Sequence, residues 1–422
     1  MSAPLPAPIV WLRDADWLTR DRARAYVRIL FFMTVGAALL WIALAQGGVD
    51  RAGKPLGTDF VSFWTASQIA LSGSPAAVYD IATHQAAENA LFPQNAGYAA
   101  FFYPPAFLLI CLPLAALPYF WSLGLWLALT GFACWRVIRA WLGDAFGALP
   151  IFAFPAMLAN LGHGQNAFLS TALFGGGALL LDARPFVAGL CLGALVYKPH
   201  LAIVVPLALL AARRWRVVFG AAVSASGLCL LSLAAFGADT WRAFLAAAPK
   251  ARIAMEANMV GDEKMQSVFA AVRLLHGGLT LAYIMQIIAT LGVCAALVHL
   301  QRRSYRTPAE GPAMIAAALL ASPFLLDYDL VLLAIPIAYL AREGARTGFL
   351  PFEKIILAAA FVLPIASRSV AGHFGIPLGP IVIAAVLILV VRRAGERAPR
   401  GVVVRDAHGA LSPAVRTMVD MA

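Results

Sequence analysis

The chain has 422 residues, of which 62% are hydrophobic and 13% charged, and its mean hydropathy is +0.81. Soluble domains are nearer half apolar and a quarter charged, so this composition excludes an ordinary soluble protein. A formal net charge of +11 would suit a nucleic-acid-binding protein. The sequence shows no basic stripe interleaved with aromatic residues, however, and we therefore predict no nucleic-acid partner.

Apolar stretches of bilayer length recur along the chain. A helix needs about 20 apolar residues to cross roughly 30 Å of hydrocarbon. The stretches 27–46, 217–236 and 279–300 meet this requirement, and 377–391 is a shorter one. Arginine clusters adjoin these stretches, as is typical of cytoplasmic helix ends. The clusters lie at 20–28, 213–216, 302–306 and 392–400. The sequence therefore predicts an all-α polytopic integral membrane protein.

The N-terminal part predicts a cytoplasmic tail at 1–26, followed by a first helix that is retained and not cleaved as a signal peptide. A polar outer loop is predicted at 47–100. Within it, the pattern of apolar and polar residues predicts two short amphipathic helices, near 60–71 and 81–91.

The segment 101–141 is apolar but is interrupted by four prolines, and it allows two topologies. Two crossings would place Arg136 and Arg139 outside, against the usual distribution of positive charge. One crossing with a re-entrant piece would place them inside, and we prefer this alternative.

The later apolar stretches alternate across the membrane in a transmembrane module predicted to span 27–391. The further predicted crossings are 146–161, 165–181, 186–197, 200–212, 217–236, 279–300, 312–325, 328–341, 354–370 and 377–391. About twelve crossings result. A second outer loop is predicted at 237–278, with an amphipathic stretch at 241–256, and a disordered cytoplasmic tail at 392–422.

The cysteines lie within apolar stretches and form no CxxC pair, so we predict small buried apolar residues, neither disulfides nor metal ligands. They are Cys111, Cys134, Cys191, Cys229 and Cys294.

Four polar sites occur where the surroundings make them costly, since a central charge costs about 2.5–3.5 kcal/mol on insertion scales. The first is Asp59, which precedes the aromatic-rich segment at 60–64. A carboxylate at the membrane surface beside apolar walls can act as a general base. The alternative is an N-cap for the following helix, a position that Asp favours. The two roles can coexist.

The second site is the pentapeptide 162–166, Gly-His-Gly-Gln-Asn, between two apolar stretches. Its glycines allow a tight turn that brings His163, Gln165 and Asn166 to one place. The pentapeptide is either a binding site or a simple turn.

The third site is Tyr197-Lys198-Pro199-His200, which is flanked by apolar residues on both sides. Because Lys198 cannot easily reach either surface, it either binds an anion such as phosphate or forms an internal salt bridge. Pro199 breaks the helix and frees backbone groups, which is tolerated where they line a cavity.

The fourth site is Asp327-Tyr328-Asp329, at the outer end of a predicted helix hairpin. The two carboxylates are either functional or interfacial capping residues. In the predicted topology all four sites lie on the outer side, where a carboxylate base and a phosphate-binding lysine would suit group transfer from a lipid phosphate. No metal-binding spacing such as HExxH occurs, and we predict neither a metal nor a cofactor.

Seven motifs occur in a characteristic order along the chain. They are TDFVSFW, FFYPP, LGHGQN, YKPH, RRWR, KMQSVFAAVRLL and SPFLLDYDLVLL. Together they resemble glycosyltransferase family 87, long known as a bacterial domain of unknown function. The resemblance covers about residues 55–345.

The resemblance implies a GT-C fold, with the N-terminus inside and a catalytic aspartate in the first outer loop. The family includes mycobacterial mannosyltransferases that use polyprenyl-phosphate mannose and no nucleotide sugar. By motif match, Asp59 corresponds to the catalytic aspartate and Lys198 to the intramembrane lysine of the KP motif. The mannosyltransferases usually have an aromatic residue, an acidic residue and histidines after their Ser-Pro motif. This chain instead has Asp327, Tyr328 and Asp329 there.

The resulting hypothesis is a glycosyltransferase of the bacterial inner (plasma) membrane with its active site facing the periplasm. It moves a sugar, with mannose favoured, from a polyprenyl-phosphate donor to a lipid or glycan acceptor and inverts the anomeric centre. Asp59 is the predicted general base, and Lys198 and His200 are the predicted phosphate contacts. The predicted substrate-binding residues are His163, Gln165, Asn166, Tyr103, Asp327 and Asp329. For Tyr103, as for Trp64, packing is the preferred role and stacking on a sugar or lipid the alternative.

Two other functions remain open at this point. Helices broken near mid-membrane would also fit a lipid or anion transporter, although no internal repeat is evident and the predicted outer loops are large. A non-catalytic membrane scaffold would require neither Asp59 nor Lys198.

Overall fold

The computed structural model describes residues 6–94, 97–304 and 306–397. These residues form α-helices and short 3-10 helices, without any β-strand, as the all-α prediction requires. Most of the predicted tail at 392–422 lies outside the described residues. Its first residues, 392–397, are described and belong to the last helix, because the apolar helix extends through these arginines.

The α-helices, numbered in chain order, are α1 (Ala7–Asp14), α2 (Arg20–Ala43), α3 (Phe60–Leu71), α4 (Ile81–Leu91), α5 (Pro105–Cys111), α6 (Tyr119–Leu142), α7 (Leu149–Ala153), α8 (Pro155–His163), α9 (Ala167–Leu179), α10 (Pro185–Ala194), α11 (Pro199–Ala202), α12 (Val205–Ala211), α13 (Trp215–Glu256), α14 (Val268–Leu274), α15 (Leu279–Arg303), α16 (Glu310–Ala321), α17 (Ala334–Thr347), α18 (Glu353–Phe374) and α19 (Leu378–Arg397). The 3-10 helices are Pro75–Tyr79, Leu112–Ala116, Asp144–Phe146, Leu195–Tyr197 and Asp327–Leu333.

In the described part of the chain, 6 helices are long and apolar enough to cross a membrane, namely α2, α6, α13, α15, α18 and α19. They expose large apolar side chains, such as Phe32 at 70% and Leu291 at 64%. Apolar surface of this extent requires an apolar surrounding, and a lipid bilayer supplies one. The chain is therefore a membrane protein.

The other predicted crossings coincide with shorter apolar helices, and the total of about twelve stays a prediction. Prolines account for the breaks, because proline removes a backbone donor and clashes with the preceding turn. Pro155 separates α7 from α8, Pro199 begins α11 after a 3-10 turn, and Pro323 follows the end of α16. The uninterrupted spans predicted at 146–161 and 312–325 are thus wrong in their bounds.

The first long helix also begins earlier than predicted, at Arg20 and not at 27. The Thr19 hydroxyl oxygen accepts a hydrogen bond from the backbone N–H of Arg22 at 3.3 Å and caps the helix there. A short helix, α1, precedes it within the predicted tail. The arginines of this segment therefore belong to the first turns of α2.

The segment 101–141 contains one helix of crossing length, α6, preceded by the short α5 and a 3-10 turn. The re-entrant piece, and the side on which Arg136 and Arg139 lie, stay predictions. The helices predicted near 60–71 and 81–91 correspond to α3 and α4.

Helix α13 contains a break at Gly237, whose φ of 77° lies in the left-handed region that favours glycine. The residues before the break correspond to the crossing predicted at 217–236. The residues after it contain the amphipathic stretch predicted at 241–256. The boundary between a predicted crossing and a predicted loop is therefore a glycine-dependent break between two helical segments of α13.

The centre of the fold is α16, all of whose residues are buried. It packs against α9, α15, α17 and α19. The 3-10 helix that follows, Asp327–Leu333, is also buried and packs against α8 and α9. The carboxylates of Asp327 and Asp329 are thereby held inside the helix bundle, and not at its rim.

A buried ion pair fixes the N-terminal end of α16. The Arg214 guanidinium donates to the Glu310 carboxylate through Nε at 2.8 Å and Nη2 at 2.7 Å. It also donates to the Leu181 carbonyl and the Asp182 carboxylate. Such bidentate pairs orient both partners. They join α16 to the segment between α12 and α13.

Helices α10 and α13 approach each other closely through glycines. A Cβ atom added at Gly193 would lie 2.1 Å from the Ala221 carbonyl oxygen, and one at Gly189 would lie 2.2 Å from the Val217 carbonyl oxygen. Small residues at helix interfaces are the usual means of close packing in membranes. The four-residue spacing of these glycines places both on the same face of α10.

We expect Gly193→Ala to lose about 1–3 kcal/mol of stability, the cost of overpacking a tight interface. The matched control is Gly227→Ala in α13, because nothing lies within 4 Å of a Cβ atom there. Alanine at position 227 should be neutral or stabilise the helix by up to about 1 kcal/mol. Thermal unfolding of the purified protein measures both, and equal midpoints would contradict the close packing.

Candidate active site

Asp59 occupies the last position before α3, but its side chain makes no capping hydrogen bond to that helix. Asp59 therefore does not cap α3 through its side chain, which was the alternative role predicted from the sequence. The carboxylate instead turns toward the pentapeptide at 162–166. Its side chain is 30% exposed, so it lies at the boundary between the buried interior and the surface.

The pentapeptide is held against α3 by its second glycine. Gly164 has a φ of 64°, and a Cβ atom there would lie 2.6 Å from Cβ of Phe60 and 2.9 Å from Cδ1 of Leu123. Only glycine fits both the backbone conformation and the space. The adjacent His163 carbonyl accepts a hydrogen bond from the backbone N–H of Asp59 at 3.0 Å. The second and first polar sites are therefore in direct contact.

Both carboxylate oxygens of Asp59 have partners. Oδ1 lies 3.5 Å from Nδ1 of His163, and Oδ2 accepts a hydrogen bond from Nε2 of Gln165 at 3.0 Å. The Thr58 hydroxyl lies 2.8 Å from the same His163 nitrogen. These contacts fix the orientation of the carboxylate while leaving part of it accessible.

The electrostatic surroundings keep Asp59 ionised. Burial raises the pKa of Asp59, but the charge of His163 and the hydrogen bonds from His163 and Gln165 outweigh it, so the pKa lies below its ordinary value. Burial lowers the pKa of His163, and the Asp59 carboxylate more than compensates, so this pKa is raised. At neutral pH Asp59 is therefore a carboxylate, which is the protonation state that a general base requires.

Gln165 connects Asp59 with two tyrosines. Its side-chain oxygen accepts a hydrogen bond from the Tyr103 hydroxyl at 3.0 Å, and its amide nitrogen lies 3.3 Å from the Tyr328 hydroxyl. The oxygen also accepts the backbone N–H of Asn166 at 2.7 Å. Gln165 is thus held by partners from several segments, and it positions the Asp59 carboxylate.

Lys198 lies deeper in the same network. Its ammonium group donates to Oδ1 of Asp329 at 2.5 Å and to Oδ1 of Asn166 at 3.2 Å. The Lys198 and Asp329 side chains are only 4% and 1% exposed. The Lys198 nitrogen also lies 5.4 Å from the centre of the Tyr328 ring, within the range of a cation–π contact. Of the two roles considered from the sequence, the structure contains the internal salt bridge.

The remaining predicted site residues lie beside this network. Nδ1 of His200 lies 2.8 Å from the Ser322 hydroxyl, and no hydrogen bond connects His200 to Lys198 among the described residues. Asp327 is buried, and its Oδ1 accepts the backbone N–H of Tyr328 at 2.8 Å. Trp64 donates its indole N–H to the Leu117 carbonyl, which is a packing role.

The structure therefore brings all four polar sites into one connected set, which we call the Asp59–Lys198 network. Its members are Thr58, Asp59, Tyr103, His163, Gln165, Asn166, Lys198, Tyr328 and Asp329. The sequence did not assign Thr58 or Tyr328 to it. Both adjoin predicted carboxylates, and that adjacency was the available signal. Across the described ranges, no three His, Cys, Asp or Glu side chains group as a metal site would require.

Comparison with known proteins identifies the family. The sequence profile of glycosyltransferase family 87 matches residues 101–323, more than half of the chain. The helices and the profile define a membrane-embedded glycosyltransferase. The chain belongs to glycosyltransferase family 87. No curated protein and no solved structure matches it.

The buried ion pair predicts a characteristic stability pattern. We expect Asp329→Asn and Lys198→Met each to lose roughly 3–5 kcal/mol, because each leaves an uncompensated buried group. The double variant Lys198→Met/Asp329→Leu should recover most of this loss, because it removes both charges. Thermal unfolding of the purified protein measures the three. Additive losses in the double variant would contradict the pairing.

Proposed function

We propose that this glycosyltransferase transfers a sugar, with mannose favoured, from a polyprenyl-phosphate donor to a lipid or glycan acceptor, with Asp59 as the general base. The observation that carries the proposal is the Asp59 carboxylate. It is ionised, partly exposed and oriented by His163 and Gln165 at the accessible end of a buried polar network. A GT-C-like fold with about twelve crossings is part of the same proposal.

The reaction is a single displacement. The acceptor hydroxyl oxygen forms a bond to the anomeric carbon, and the bond from that carbon to the phosphate oxygen breaks. The electron pair of the broken bond leaves with the polyprenyl phosphate, and the hydroxyl proton passes to Asp59. Attack opposite the leaving group inverts the anomeric centre. Positioning of both substrates contributes to the rate of such a step, because binding makes the reaction effectively unimolecular.

The protein offers hydrogen-bonding groups for a sugar beside Asp59. Nδ2 of Asn166 is buried beside the Tyr103 side chain and makes no hydrogen bond of ordinary geometry within the described residues, and we propose that it donates to a sugar hydroxyl. His163 and Tyr103 are at the same end of the network. We propose these residues, with Gln165, Asp327 and Asp329, as the surroundings of the sugar. Gln165 and Asp329 act by holding Asp59 and Lys198 in place.

Family membership supports an enzyme over the transporter and the scaffold that the sequence left open. We propose that the enzyme lies in the bacterial inner (plasma) membrane with Asp59 facing the periplasm. The arginine clusters indicate which helix ends are cytoplasmic, and in the predicted topology Asp59 lies on the other side of the membrane. Lipid-linked donors and the surrounding membrane lipids are its proposed partners. The reaction as written uses the groups of this chain, without a metal.

We expect Asp59→Asn to lower the rate of sugar transfer by about 10²–10⁴-fold, which is the usual contribution of a general base. Asparagine keeps the shape of the side chain but cannot accept the proton. The measurement is transfer of radiolabelled sugar from a panel of polyprenyl-phosphate sugars by the purified protein.

Asp80→Asn is the matched control for this experiment. Asp80 lies in the same predicted loop, where its carboxylate accepts the backbone N–H of Thr83 at 2.8 Å and caps α4. This variant should retain the wild-type transfer rate. Equal rates for Asp59→Asn and wild type, with both folded, would remove Asp59 from catalysis.

The pKa values of the Asp59 and His163 pair predict a change in the pH profile. Asp59 must be deprotonated to act, so its lowered pKa extends activity toward acid pH. The His163→Gln variant lacks the positive charge that lowers the pKa of Asp59, whereas the burial that raises this pKa remains. The pKa of Asp59 should therefore rise, and the acid limb of the kcat/KM profile should move to higher pH. An unchanged acid limb would show that Asp59 is not the group that titrates in this profile.

A further inference from the structure

A positively charged residue lies beside the Asp59–Lys198 network in a motif that the proposed reaction does not use. Lys264 begins the segment KMQSVFAAVRLL and lies in the loop between α13 and α14. The loop runs antiparallel to the residues before Asp327, because Met265 pairs with Leu326 and Gln266 donates its backbone N–H to Leu325 at 2.7 Å. This register places Lys264 directly opposite Asp327.

A second positive charge approaches the same place from α18. Arg368 lies one helical turn before Gly372, where an added Cβ atom would lie 3.8 Å from Cγ of Glu263, the neighbour of Lys264. Helix α18 also packs against α8, which ends at His163, and against the 3-10 helix that begins at Asp327. Lys264 and Arg368, which we call the entrance cations, thus lie on the side of the network where Asp59 is exposed.

The entrance cations are not neutralised by an ion pair in the described part of the chain and can therefore bind an anion. Neither forms an ion pair within the described ranges of the chain, although Glu263, Asp327 and the exposed Lys54 are near. Burial and the charges of Arg368 and Lys54 lower the pKa of Lys264, and the two carboxylates compensate only in part. An incoming anion would relieve this repulsion. Lys198, in contrast, is already neutralised by Asp329 at 2.5 Å.

The surface near Arg368 indicates the kind of anion. The same helix exposes large apolar side chains, including Ile365 at 46% and Phe374 at 74%. A cation among lipid-facing apolar residues can bind an amphiphile with a negatively charged head group. The apolar chain of the amphiphile would then lie along the helix. A freely soluble phosphate would gain nothing from this apolar surface.

We propose that the entrance cations Lys264 and Arg368 bind the phosphate of an isoprenoid monophosphate, with its chain along α18. The assignment rests on the proposed function, because it places the leaving phosphate of that reaction. Two cations that hold the phosphate oxygens also stabilise the negative charge that develops as the bond to the sugar breaks. Lys198 then acts as a positioning residue, through Asn166 and Asp329.

Binding of farnesyl phosphate and farnesol to the full-length protein in detergent tests the proposal, because the two probes share a chain and differ in the phosphate. Lys264→Gln and Arg368→Gln should each weaken farnesyl phosphate binding by about tenfold or more, the loss of a charge-assisted hydrogen bond. Farnesol binding should not change, and Lys264→Arg should retain phosphate binding. Lys250→Gln, an exposed lysine in α13, is the charge-matched control and should bind as wild type.

Several results would overturn the proposal. If both glutamine variants bound farnesyl phosphate with wild-type affinity, Arg368 and Lys264 would be solvated surface cations that do not bind the phosphate. Loss of affinity in Lys198→Met alone, with a folded protein, would place the phosphate at Lys198. Equal competition by inorganic phosphate or by phosphatidylglycerol vesicles would show that the isoprenoid chain is not recognised.

The binding assay separates this site from the proposed reaction. Cation-dependent binding of farnesyl phosphate, without sugar transfer from any polyprenyl-phosphate donor, would support the site and contradict the reaction. Sugar transfer with a wild-type KM for the donor in both Lys264→Gln and Arg368→Gln would support the reaction and overturn the site.

Discussion

The buried pair between Lys198 and Asp329 is the interaction on which the site depends. An ammonium group and a carboxylate with almost no exposure are stable in this setting only while each compensates the other. Their contact joins the break between α10 and α11 to the 3-10 helix at Asp327–Leu333. Lys198 also donates a hydrogen bond to Asn166, which connects the pentapeptide at 162–166 to the pair. From Asn166 the hydrogen bonds continue through Gln165 to Asp59. A charge pair inside the bundle is therefore connected by hydrogen bonds to the position of the Asp59 carboxylate at its surface.

Much of the architecture was predictable because its causes are local. Apolar runs gave the long helices, and the periodicity of the loop at 47–100 gave α3 and α4. The residue types at the site were predictable for an energetic reason. A lysine such as Lys198 among apolar residues is costly, so it signals either a partner or a ligand. Most of the Asp59–Lys198 network came from this reasoning.

The remaining features depend on contacts between distant segments, which periodicity does not encode. Whether Lys198 pairs with a carboxylate could not be decided without knowing that α16 is central and brings Asp329 beside it. The contact of His200 with Ser322 and the antiparallel pairing that brings Lys264 to Asp327 are of the same kind. The predicted helix bounds were wrong where prolines divide an apolar run, as at Pro155. Hydropathy is averaged over a window of residues, and such an average does not detect a break at a single proline.

The proposed reaction is direct transfer of a sugar from an isoprenoid phosphate in a single displacement. The most direct measurement supplies the purified wild-type protein in liposomes with matched polyprenyl-phosphate and nucleotide sugars, and determines the anomeric configuration of any product by NMR. We expect product from the polyprenyl-phosphate donor only, with the anomeric centre inverted. Product from the nucleotide sugar, or retention of configuration, would contradict it.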